Sequence, residues 1–205
     1  MSGVGTTAHG PVVEIRPGRS TAWWGMISLI ATEGVLFGLL LFVYFYFWAG
    51  LGDWPPPGLP VPELVGSGVR SVILLGSTAP VILAERSLME RGDTAKCAMW
   101  LVVALAMAAM FLIGHIQEQF LLFTEISPTE TAYGSAVVTI LNFHAVHLII
   151  GMMAMTFVLI HVLRRRITAE RHAMLEIGGM YWHFVDVIWI FVYSALYISP
   201  RVLSG

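Results

Sequence analysis

The chain has 205 residues, 57% of them hydrophobic and 12% charged, with a formal net charge of -2, against roughly 25% charged residues in an ordinary soluble domain. That balance excludes a soluble globular enzyme. The near-neutral charge, with Arg164-Arg165-Arg166 as the one basic run, excludes a field suited to nucleic acid.

The first twenty residues are polar and include Arg16 and Arg19. The apolar run after them is too long for a signal-peptide core and is expected to stay as a first membrane span. Sustained hydrophobicity predicts spans at about 22–49, 68–89, 96–118, 134–163 and 178–199, since roughly 20 apolar residues cross a bilayer core. Each must be helical, because a lone strand cannot satisfy its backbone in lipid. The predicted fold is an all-α bundle of five transmembrane helices, one membrane domain over 1–205.

In the first span, Trp23, Trp24 and Trp48 stand where indoles favour the headgroup region, and Gly34 and Gly38 form a small-xxx-small pair that admits a neighbouring helix. The connector that follows has five prolines within residues 55–62, a stiff extended link. The second span holds Gly76, Ser77, Thr78 and Pro80, which predicts a kink near Gly76 with a hydroxyl satisfying the freed carbonyl. The third carries Gly114-His115, then Gln117, Glu118 and Gln119, read as a helix terminus or partner contact. Cys97, the single cysteine, can supply neither an internal disulfide nor a thiolate metal centre. The methionines read as core or lipid-facing filler, not a copper relay.

Orientation follows from the eleven Lys and Arg residues. With the N-terminus cytoplasmic, Arg16, Arg19, Arg86, Arg91, Lys96, Arg164, Arg165, Arg166 and Arg171 lie inside, and only Arg70 and Arg201 outside. That asymmetry predicts N-in and C-out, with the acidic loop of Glu125 and Glu130 outside.

The informative residues are ionisable groups inside the spans: Glu33, His144, His147, His183 and Asp186. Each costs about 3 kcal/mol unless paired, neutral or hydrated. At 1.5 Å per residue, Glu33 and His144 both fall about 15 Å deep, near the midplane. His144 and His147 share a helix face at i and i+3, so Glu33 is expected to meet one of them as a hydrogen-bonded pair. That pair serves either as an interhelical clamp or as a proton-handling or lipid site. His183 and Asp186 are also at i and i+3. Placed near the cytoplasmic end, they are expected within reach of Arg164 and Arg165, as a clamp between spans four and five or as a lipid-headgroup site. No metal ligand set is expected.

Three segments now resemble a known family. TEGVLF around Glu33, TAYGSAVVTILNFHAVHLIIG from Thr131 to Gly151, and YWHFVDVIWIFVYSALY from Tyr181 to Tyr197 resemble subunit III of the haem–copper oxidases in its short five-helix bacterial form. Asn142, Ala145 and His115 depart from the usual Gly, Gly and Gln. The resemblance implies a subunit that binds no cofactor itself, with haems and copper in partner subunits I and II. It also implies structural phospholipid in a V-shaped cleft against subunit I and support of cytoplasmic proton uptake. The implied location is a bacterial cytoplasmic membrane. Glu33, His144, His147, His183 and Asp186 match the family's motif positions, none as a catalytic residue.

Three rivals stand beside it. An accessory subunit of a nitric oxide reductase is similar, although the Tyr181-Trp182-His183-Phe184 form favours an oxygen-reducing complex. A dihaem cytochrome b could use His147 and His161, four turns apart, but spans three and five offer only His115 and His183 as partners. A small proton-coupled carrier built on Glu33 and His144 lacks the repeats such carriers show.

Overall fold

Five long apolar stretches become helices because lipid offers their backbone no other partner. The computed structural model describes residues 20–52, 54–126 and 129–203. Arg16 and Arg19 lie outside them. The helices are α1 (Thr21–Leu51), α2 (Leu64–Gly76), α3 (Thr78–Met89), α4 (Thr94–Glu125), α5 (Ala132–Leu163) and α6 (Ala173–Tyr193), followed by a π-helical turn (Ser194–Ile198) and α7 (Ser199–Leu203). Among the described residues five units are long and apolar enough to cross a membrane: Thr21–Leu51, Leu64–Met89, Thr94–Thr124, Ala132–Leu163 and Ala173–Leu203.

Side chains start three of the helices by taking up free backbone N–H groups. Ser20 accepts from Trp23 N–H, Asp93 from Lys96 N–H and Thr131 from Gly134 N–H. The Lys96 backbone N–H, and then its ammonium, hold the Asp93 carboxyl below its ordinary range. Helix α1 closes at Gly52, whose φ of 79° suits a residue without a Cβ.

The interruption in the second span falls at Ser77, between α2 and α3. The break makes Pro80 a first-turn residue of α3, where a missing N–H costs little. The expected repair by a hydroxyl therefore does not occur. Ser77 Oγ accepts from Trp182 Nε1 at 2.9 Å and Thr78 Oγ1 donates to Asp186 at 2.6 Å.

Those two bonds belong to a seam along which α6 is fastened to the second span. Trp189 Nε1 donates to Ser71 Oγ at 2.8 Å, and Tyr193 OH donates to the Leu64 carbonyl at 3.0 Å. Residues 182, 186, 189 and 193 recur at i, i+4, i+7 and i+11, one face of a helix. The seam buries Trp182, Asp186, Trp189 and Val192.

The ends of two spans differ from expectation. Helix α4 runs to Glu125, not 118, so Gln117, Glu118 and Gln119 lie within it. The Glu118 carboxylate is accommodated there by Arg70 of α2, which donates to its Oε2 at 2.5 Å. Helix α6 starts at Ala173, more than a turn before the predicted boundary. Helix α1 contributes only Phe37 and Tyr44 to the buried interior. Within this chain a neighbouring helix meets the small pair on α1 at Gly34 alone: a Cβ built there would meet the Phe184 ring, whereas one built at Gly38 would meet no other element within 4 Å.

Candidate functional site

Glu33 on α1 and His147 on α5 meet across the bundle. Their Oε2 and Nε2 atoms are 3.0 Å apart, with side chains 26% and 11% exposed. The second ring nitrogen of His147, Nδ1, lies 2.7 Å from the Phe143 carbonyl. A carbonyl can only accept, so Nδ1 carries a proton. Nε2 then either accepts a proton from a neutral Glu33 or carries one opposite an ionised Glu33. Both forms have zero net charge and hold one proton between the two atoms, the economical arrangement inside a membrane. Phe37 packs edge-on against the imidazole, at a centroid distance of 5.0 Å.

His144 does not share this site. Three residues earlier on the same helix, it turns away from α1 into the core, fully buried. Its ring lies 4.6 Å from the Trp189 ring and 6.4 Å from that of His115. Neither of its nitrogens has a hydrogen-bond partner among the described residues. His115 is buried too, and the Gln119 amide nitrogen lies 2.8 Å from its Nε2. Sequence reasoning saw His115 as a departure from a family pattern and as a haem-ligand candidate of a rival reading, and not as part of a buried polar cluster. The available signal was His115 and Gln119 at i and i+4, a polar pair on one face of an apolar helix.

Asp186 also falls elsewhere than expected. It is 3% exposed, and its Oδ2 accepts from Thr78 of α3. Because α6 begins at Ala173, Asp186 sits about 20 Å along the helix, too far from the turn after α5 to meet Arg164 or Arg165. Those arginines are exposed, with Arg164 capping α5 and Arg165 in the left-handed region at φ 53°. The expected Asp–Arg or Asp–His clamp between spans four and five is thus replaced by an Asp–Thr tie between α6 and α3. His183 stays partly exposed beside Asp186 in a groove of about 400 Å³ that also includes Thr78.

These side chains can tie helices and hold a proton. Among the described residues no group of three or more His, Cys, Asp or Glu is placed to hold a metal ion.

The family model described as cytochrome c oxidase subunit III matches residues 12–200. Among similar proteins, cytochrome c oxidase subunit 3 of Synechocystis sp. is 29% identical over 176 residues, covering 85% of this chain and 74% of the relative. The proteins of the same name from Rattus norvegicus and Sus scrofa are each 30% identical over 198 residues, covering 87% of this chain and 75% of the relative.

Proposed function

The chain belongs to the cytochrome c oxidase subunit III family, and from that premise we propose that it is a supporting subunit that stabilises subunit I and sustains proton uptake by the complex. Membership makes it a component of a haem–copper oxidase, in aerobic respiration and electron transport, and a multi-pass membrane protein. This family carries no redox centre of its own. In the proposed assembly subunit I, which holds the haems and catalytic copper, is the main contact, and subunit II the second partner. Structural phospholipid fills the space against subunit I. The single membrane domain lies N-in and C-out in a bacterial cytoplasmic membrane, with the exposed Arg164–Arg166 turn on the cytoplasmic side.

The observation that carries this reading is the Glu33–His147 pair. It is part-exposed on α1, the helix that buries least of itself within this chain. A one-proton, net-neutral pair at that position stabilises a contact with a neighbouring subunit and exchanges a proton without leaving a bare charge in lipid. The relatives' names favour an oxidase over a nitric oxide reductase.

The test is the oxidase purified with Glu33→Ala or Glu33→Gln in this chain. The expected outcome is an unchanged haem spectrum, with weaker retention of the subunit and a shorter working life during oxygen turnover. Glu33→Gln should keep most of the retention. Loss of haem with subunit I still folded would contradict the supporting role, and co-purification with nitric oxide reduction would shift the complex assigned.

A further inference from the structure

The end of the bundle opposite the Arg164–Arg166 turn holds a cavity of about 790 Å³ between the proline connector, the start of α2, the end of α4 and α7. Its charged and polar lining is Glu63, Arg70, Gln117, Glu118 and Arg201. Arg70 and Glu118 neutralise each other. Gly114 permits this, because a Cβ there would run into the Arg70 side chain. Two charges remain. Arg201 donates only to the carbonyls of Tyr197 and Pro62, and Glu63, an exposed N-cap residue, makes no side-chain cap bond. Neither has an opposite charge as partner among the described residues. The cavity therefore presents one unneutralised cation and one unneutralised anion.

Its depth and surroundings narrow the occupant. Arg70 lies six residues into α2 and Glu118 seven before the end of α4, about 10 Å from the helix ends. The second span has 26 residues, about 39 Å against a core of about 30 Å, so each end stands about 5 Å beyond the core: Glu63, at the N-cap of α2, lies at headgroup level at the mouth of the cavity, and the Arg70–Glu118 pair lies about 5 Å below the core boundary. Below the cavity two exposed apolar faces begin at lining residues and continue toward the middle of the bundle. One runs through Val65, Val69 and Val72 of α2, the other through Leu121, Ile113 and Met110 of α4. A dipolar recess above apolar furrows has the form of an amphiphile with a dipolar head.

We infer that this cavity binds the headgroup of a zwitterionic phospholipid carrying a primary ammonium, with the phosphate against Arg201 and the ammonium against Glu63 and Gln117. An anionic headgroup would leave Glu63 facing a like charge. A quaternary ammonium would have no N–H to donate to Glu63 or to the Gln117 carbonyl. The site rests on the five spans and not on the partner complex, so its failure would leave the subunit reading standing.

The test is native mass spectrometry of the full chain, delipidated in detergent and titrated with phosphatidylethanolamine, phosphatidylcholine or phosphatidylglycerol of identical acyl chains. Phosphatidylethanolamine is expected to bind first, by about five-fold over phosphatidylglycerol. Glu63→Gln should level the two, Glu63→Lys should reverse their order, and Arg201→Gln should weaken all three. Glu63 is exposed and uncapped, so its variants report on the ligand and not on folding. Equal binding of the three lipids, or a preference that survives Glu63→Lys, would overturn the proposal and leave the recess to a partner's loop.

Discussion

Helix α6 and helix α1 are both long and apolar, yet they are held by different means. Along one face, α6 carries four side chains that each reach the second span through a hydrogen bond, and it buries two tryptophans and a carboxylate there. Helix α1 buries Phe37 and Tyr44, and its link in mid-span is the Glu33–His147 pair. In lipid, apolar surface gives little drive for one helix to join another, so packing and polar ties carry the association. The α6 seam is built to be internal. Helix α1 has the Glu33–His147 pair as its polar tie in mid-span and leaves an apolar surface for whatever surrounds the chain.

The largest break in this contrast should come from Trp189→Ala. It removes a buried ring packed against Phe111, His115 and His144 and the donor to Ser71. Unfolding in a detergent titration should show a loss of about 3–5 kcal/mol, whereas Phe42→Ala on the exposed face of α1 should cost under about 0.5 kcal/mol.

Next in size is Asp186→Ala, expected to cost about 1–2 kcal/mol by the same measurement, because a buried acceptor for Thr78 is lost. Asp186→Asn keeps an acceptor and should recover most of that. If both cost the same, the Thr78 bond is not what fastens α6.

Glu33→Ala should cost about 1 kcal/mol and show its effect locally, as faster amide hydrogen exchange in α1 with α6 protection unchanged. Spread of the effect to α6 would mean that the two regions are not separately held. The smallest effect belongs to Gly38→Ala. A Cβ added there would meet no other element within 4 Å, so stability should change by less than about 0.5 kcal/mol. A larger loss would show that α1 is packed more closely than its open glycine indicates.

Much of the site was legible in the sequence because membrane residence makes polar residues conspicuous. Glu33 and a histidine of span four could be matched by depth alone, since 1.5 Å per residue converts position into height. Which histidine could not. His144 and His147 share a face to within one turn, and the choice depends on the rotation of α5: His147 faces α1 while His144 faces Trp189. Asp186 was misplaced because its depth was counted from residue 178, whereas the helix begins at Ala173. The Arg70–Glu118 pair was hidden because the apolar core of α4 ends before the helix does. Hydropathy marks the lipid-facing length, and hydrogen bonding marks the helix.

The sequence by itself determined the five helices, their order, the rank of residues that cannot face lipid and the family. The helices and the polar residues follow from composition and spacing, and the family from the resemblance of three motif segments, all properties of the chain alone. Only the tertiary structure decided who pairs with whom: Trp182 with Ser77, Asp186 with Thr78, Trp189 with Ser71, Glu33 with His147 and Arg70 with Glu118. Rotation about a helix axis and the packing of one helix on another set those pairs. Periodicity shows which residues share a face and not which neighbour that face meets.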